Sequence, residues 1–217
     1  MRRTLSSGPR PRIRLKAAAH RTHGSCPLKS LLKWLSALIV GIALGLGSLW
    51  YMVFKANPPS VVTNGVWHTN LDVGSAANDA YSLQIAITSI LALNRSETIY
   101  FEATKDAEGQ PLTAACDYEL KGPAPEARWW SVTAYGPNDM LIHSTGDRYS
   151  ASAASVETGA DGQITIALTP DGSGPNGIAT GNAGFVLLLR LYQPAEAVAA
   201  APDAARLFTL TKGSCRA

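Results

Sequence analysis

From Trp34 to Phe54 the chain reads WLSALIVGIALGLGSLWYMVF, 21 residues without a charge or a proline. As a helix rising 1.5 Å per residue, this stretch spans about 30 Å, the thickness of a bilayer's hydrocarbon core. Trp34 stands at one end and Trp50 and Tyr51 near the other, where amphipathic rings favour the headgroup zone. Gly41 and Gly45 form a small-xxx-small pair of the kind that lets two spans approach. A cleaved signal peptide has an apolar region of about 7–15 residues that ends in small residues. Here the run is longer and ends in bulky Tyr51-Met52-Val53-Phe54. Residues 34–54 are therefore expected to be an uncleaved transmembrane anchor, and the two flanks must be read separately.

The flanks differ in charge. Of 19 Lys and Arg residues, nine fall in residues 1–33, which hold no acid; the other ten and all 16 Asp and Glu residues follow Phe54. The excess of basic residues before the span predicts that this end stays in the cytoplasm and that the chain beyond about residue 56 lies outside it. In a bacterium that means a single pass through the inner membrane, with the C-terminal domain in the periplasm. The formal net charge of +3 averages two unlike halves, so it offers no argument for nucleic-acid binding. No aromatic residues interleave with the basic ones of residues 1–33 to stack bases, and no nucleic-acid partner is expected. Residues 1–33 read as a disordered cytoplasmic tail, 55–64 as a linker stiffened by Pro58 and Pro59, and 65–217 as the periplasmic domain.

Turn signals and period-2 alternation dominate that domain. Val66–Asn70 has strand character, as do Thr98–Thr104, the alternating Cys116, Tyr118 and Leu120, Trp129–Tyr135, Ile164–Leu168 and Phe185–Tyr192. The last is apolar on both faces until Arg190, which predicts a central position. Gly136–Asp139 is expected to reverse the chain into a second strand at Met140–His143, and Gly172–Gly181 to be a mobile surface loop. One soluble helix is expected over 78–93, capped by Asn78 or Asp79, with Ala80, Leu83, Ile87, Ile90 and Leu91 as its apolar stripe. Residues 195–205 read as a short helix or a loose connection. The predicted fold is mainly β: an antiparallel sandwich with one packed helix, preceded by the single transmembrane helix.

The three cysteines divide by compartment. Cys26 lies before the span, in reducing surroundings, whereas Cys116 and Cys215 lie after it, where disulfides persist. Their bond is expected to close a loop of about 100 residues, worth about 4–5 kcal/mol in the chain-entropy model before strain.

Metal and catalytic constellations are thin. His68 and His143 share no ligand spacing, no CxxC or GxSxG occurs, and Gly172–Gly177 lacks the following GK[ST] of a phosphate loop. No metal, cofactor or catalytic residue is expected. A glycosidase would need paired carboxyls, and Glu102, Asp117 and Glu119 are the acids dense enough to try. Along 129–135, Trp130, Val132 and Ala134 share the face assigned to the core, with Trp129, Ser131, Thr133 and Tyr135 opposite. Two readings of that opposite face stand. Open, it makes an amphipathic ligand-binding platform of Arg128, Trp129, Tyr135, Tyr100 and Glu102, with His143 in the same candidate set. Covered by the 78–93 helix, it makes Trp129 a core residue. Glu102 and Arg190 are expected to pair across the sheet.

The run Ala127-Arg128-Trp129-Trp130-Ser131-Val132-Thr133-Ala134-Tyr135, with Leu141-Ile142, Arg148-Tyr149-Ser150, Glu97–Phe101 and Leu189-Arg190-Leu191-Tyr192-Gln193-Pro194, resembles the signature of the family catalogued as domain of unknown function 1214. The resemblance covers roughly residues 65–216. It implies a compact, jelly-roll-like β-sandwich, often found beside a second uncharacterised domain, in whose place this chain carries a membrane anchor. It brings no established catalytic residues. The expected function is a non-catalytic envelope module that binds a glycan, lipid or envelope protein; the alternative is an envelope enzyme acting on a carbohydrate or lipid. Nothing in the sequence sets the oligomeric state.

Overall fold

The computed structural model describes residues 27–54, 61–73, 93–144, 146 and 148–216. The helix expected over 78–93 falls outside them but for Leu93, as do residues 1–26 of the tail and 55–60 of the linker. The chain divides into two compact units, Met1–Ser48 and Leu49–Ala217.

Helix α1 runs Pro27–Phe54, 28 residues. It starts seven residues before the uncharged stretch, because Pro27 suits a first helical turn and Leu28, Leu31 and Leu32 extend the apolar surface across Lys29 and Lys33. Within it Leu28–Met52 is long and apolar enough to cross a membrane, with mean hydropathy 1.8. Its leucines, isoleucines and tryptophans are exposed all round rather than along one stripe, as a helix solvated by lipid requires. The Ser36 and Ser48 hydroxyls donate to the carbonyls of Lys33 and Gly45, which satisfies them within the helix.

Among the described residues ten strands follow: β1 (Val61–Asn64), β2 (Trp67–Asn70), β3 (Thr98–Ala103), β4 (Cys116–Gly122), β5 (Ala127–Tyr135), β6 (Ser150–Ser152), β7 (Ile164–Thr169), β8 (Ile178–Ala179), β9 (Val186–Pro194) and β10 (Thr209–Cys215). A six-stranded sheet has the order β1-β2-β3-β9-β5-β6 and a four-stranded sheet β10-β4-β7-β8. All pairs are antiparallel except β7 with β8. The alternation legible in the sequence is the alternation of burial. Tyr118 and Leu120 of β4 point inward between Asp117, Glu119 and Lys121, and Ile164, Ile166 and Leu168 of β7 do the same. One cluster joins the inner faces of both sheets, with Phe101, Val132, Leu187 and Leu189 of the larger packing with Leu120, Ile166 and Leu168 of the smaller. This makes the domain a β-sandwich. Trp130 meets Phe208 edge-on at 5.2 Å, and the Trp67 indole N–H donates to the Phe208 carbonyl at 2.7 Å.

Strand β9 is central, as expected, between β3 and β5. The helical stretch expected near residue 195 is α2 (Glu196–Ala200), followed by a 3-10 turn at Pro202–Ala204. Two expectations need correction. Met140–His143 forms no strand: Gly136–Met140 closes a tight reversal, but its return leg makes only a Leu141–Tyr135 bridge, and β5 pairs instead with β6 and β9. The glycine-rich stretch is not a free surface loop. The Asn176 side chain, on a residue with φ +49, donates to the carbonyls of Glu157 and Thr165 and accepts from the Glu157 N–H. A Cβ on Gly177 would collide with the Gly172 carbonyl, so glycine there is a requirement of close packing.

Two devices tie the C-terminal strand β10 down. Cys116 and Cys215 face each other across the β4–β10 ladder and form the disulfide, 99 residues apart in sequence. The second is an ion pair at 3.1 Å between Lys212 Nζ and the buried Asp106 carboxylate, which also accepts the backbone N–H groups of Glu108 and Gln110. Burial pushes the Asp106 carboxyl up, but the Gln110 N–H, Lys212 and the Glu108 N–H outweigh it and hold it below the usual carboxylate range. Lys212 is raised in turn, chiefly by its bond to Asp106.

Reducing the disulfide, or substituting both Cys116 and Cys215 by Ala, should lower the unfolding free energy of the sandwich by up to about 4–5 kcal/mol, read as a fall in Tm of the full chain in detergent. Because Asp106 titrates lower folded than unfolded, its contribution is complete above its ordinary pKa and disappears as pH falls below it. Asp106→Asn should therefore flatten the loss of Tm on acidification below about pH 4.

Candidate functional site

The outward face of the six-stranded sheet carries the candidate residues, and strand register decides which of them meet. Three rows cross the sheet: Thr98–Tyr192–Trp129, then Tyr100–Arg190–Ser131–Ser152, then His68–Glu102–Leu188–Thr133–Ser150, with Tyr135 opposite Val186 beyond them. Trp129 and Tyr135 are six residues apart on β5, about 20 Å along a strand. They do not form one platform.

Tyr135 belongs to an internal polar seam. Arg190, half-buried on central strand β9, donates to the Tyr135 hydroxyl at 2.6 Å and to the Thr133 hydroxyl at 3.3 Å, and its guanidinium lies 5.5 Å from the Tyr135 ring centroid. Ser131 and Thr133 are buried on this outward face. Arg190 is therefore not the partner of Glu102. That acid instead has His68 Nε2 3.5 Å from its Oε2, directly across β2 and β3. The Tyr100 hydroxyl accepts the Leu93 backbone N–H at 2.9 Å. His143 is exposed beyond the 136–140 reversal and lines none of the described depressions.

Arg128 and Trp129 stand together at the strand ends. Trp129 is 38% exposed, in contrast to Trp130 at 2% on the core side. Its ring meets Tyr192 edge-on, centroids 5.2 Å apart. Leu93, Glu97, Arg128, Trp129, Tyr192 and Gln193 line a depression of about 440 Å³. Gln193 ties its sides together: its backbone N–H donates to the Glu97 carbonyl at 2.8 Å, and its side-chain oxygen accepts from Arg128 at 3.0 Å. It does so at φ +46, a left-handed conformation that costs a non-glycine residue of order 1 kcal/mol. Among the described residues no acid pairs with Arg128 and no base with Glu97. Tyr192, Gln193, Glu97 and Leu93 were not singled out as site residues in the sequence. Glu97, Tyr192 and Gln193 fall in the runs that carry the family resemblance, but those runs say nothing of the β5–β9 pairing that sets Tyr192 beside Trp129.

Of the three acids considered for a glycosidase pair, Glu102 stands apart from the other two. Glu102 lies on the outward face of the six-stranded sheet, whereas Asp117 and Glu119 lie on that of the four-stranded sheet, where Asp117 accepts both terminal nitrogens of Arg216. Among the described residues no three His, Cys, Asp or Glu side chains are grouped to hold a metal ion.

With this geometry in view, residues 97–196 match the family described as "Protein of unknown function (DUF1214)". The resemblance read in the sequence holds over that segment. The fold is similar to the crystal structure of the VPA0106 protein from Vibrio parahaemolyticus, with TM-score 0.54 and 21% identity over 82% of this chain. The chain spans about half of that one, 46%. A putative uncharacterized protein from Burkholderia cenocepacia matches at TM-score 0.38 and 15% identity, over 56% of this chain and 31% of the other. No curated protein matches.

The adjacent tryptophans provide a test of the face assignment. Trp130→Ala should cost about 3–5 kcal/mol, as truncation of a buried aromatic does. Trp129→Ala should cost measurably less than Trp130→Ala, because Trp129 already leaves 38% of its surface exposed. Denaturant unfolding of the two variants measures the difference.

Proposed function

We propose, from the DUF1214 match over residues 97–196 and the geometry at Trp129, that this chain is a non-catalytic binding module anchored by one helix in a bacterial inner membrane, its residue 65–217 domain in the periplasm. One observation carries the binding assignment: an exposed Trp129 paired with Tyr192 and flanked by Arg128, Gln193 and Glu97 in an open depression at the strand ends. Aromatic surface beside two charged groups that have no opposite charge among the described residues suits an amphipathic ligand. The span Leu28–Met52, the basic residues before it and a disulfide in the domain after it support the placement. Asp117 paired with Arg216 and Glu102 facing His68 on the other sheet favour a module over a glycosidase.

Two measurements test this. A C-terminal alkaline phosphatase fusion to the full chain should be active and a green fluorescent protein fusion dark; the reverse would place the domain in the cytoplasm. The emission specific to Trp129, taken as wild type minus Trp129→Phe in neutral detergent, should shift with either the lipid or the saccharide fraction of a bacterial envelope. Silence with both would end the binding assignment.

A further inference from the structure

The register of the six-stranded sheet places the aromatic shelf at the end where the chain enters the domain. Val61, first residue of β1, lies opposite Asn70, and the His68–Glu102 pairing sets this level beside Tyr100, Arg190 and Ser131. β1, β3 and β5 run in one direction, since each is related to the next through antiparallel neighbours. The start of β1 and the Trp129–Tyr192 row therefore share one end, three to four strand spacings apart, about 15–20 Å.

The shelf's chemistry selects among ligands. It holds one cation, Arg128, and one anion, Glu97, neither paired with an opposite charge among the described residues, together with Trp129, Tyr192 and an exposed Leu93. Gln193 accepts one guanidinium N–H, which leaves the others of a five-donor fork for a phosphate. A neutral sugar would meet Arg128 and Glu97 only through its hydroxyl groups, without a charge of opposite sign on either. A zwitterionic headgroup uses both, and its ammonium is also attracted to aromatic faces.

We propose that the shelf seats the phosphoethanolamine headgroup of the bilayer that holds the chain's own helix, with the phosphate at Arg128, the ammonium at Glu97 and the aromatic pair, and the glycerol end toward Leu93. This rests on the binding reading above and adds the identity of the ligand.

The test titrates the full chain in neutral detergent with short-chain phosphatidylethanolamine, short-chain phosphatidylglycerol or a chitin-type oligosaccharide, reading the Trp129-specific emission. Phosphatidylethanolamine should bind about tenfold more tightly than phosphatidylglycerol, the worth of one charge-assisted contact. Arg128→Gln should weaken both lipids about tenfold, and Glu97→Gln should erase the preference. Near-UV circular dichroism of each variant, dominated by the buried Trp67 and Trp130, reports an intact fold. Equal affinity for the two lipids overturns the headgroup assignment. So does a response to the oligosaccharide alone, which would leave the binding reading standing with a glycan as ligand. Silence with all three overturns both.

Discussion

The domain depends on β9 being held between β3 and β5. These pairings join residues near 100, 130 and 190, and they turn Leu187, Leu189 and Leu191 toward the four-stranded sheet. Because side chains alternate strictly along a strand, one register serves both surfaces at once. The alternation that buries three leucines also sends Leu188, Arg190 and Tyr192 outward. A slip of one residue would bury Arg190 and expose the leucines, so core burial enforces the placement of every outward group as well.

Polar groups then secure what apolar burial leaves loose. Arg190 binds the outward face of β5 through Thr133 and Tyr135. Asn176 fastens the glycine-rich stretch, and Asp106 with Lys212 and the Cys116–Cys215 bond hold edge strand β10. Each joins segments that the two-sheet core alone does not lock. They are spent inside the fold, whereas Arg128 and Glu97 are exposed and have no opposite charge beside them among the described residues.

Much of the fold was legible in single residues. Alternation marked β3, β4, β5 and β7 because one face of each strand is buried, and the unbroken apolar run of β9 marked its central place. Strands β1, β6, β8 and β10 escaped. Three of them have two to four residues, too short for a period to register, and the outer end of β10, at Lys212–Cys215, is exposed and polar. Gly136–Asp139 advertised a hairpin correctly as a reversal, but Met140 and Leu141 find no core to face and stay exposed. The candidate platform fared unevenly. Arg128 and Trp129 remain together, whereas Tyr135, Tyr100 and Glu102 each have a partner of their own, because a shared face does not imply a shared neighbour when residues lie 20 Å apart along it.

Taken alone, the sequence determined the properties that belong to a segment: a stretch of α1 apolar enough for lipid, strands that bury every second residue, and a single cysteine pair in the domain after the span. Burial, length and charge act locally, so composition and period reveal them. Tertiary structure decided who meets whom. Tyr192 stands beside Trp129, Glu97 and Gln193 close the shelf, His68 rather than Arg190 faces Glu102, and Asn176 turns a run of glycines into a packed loop. These contacts depend on the register of strands up to 94 residues apart, which the packing of both sheets around one core selects and no local pattern encodes.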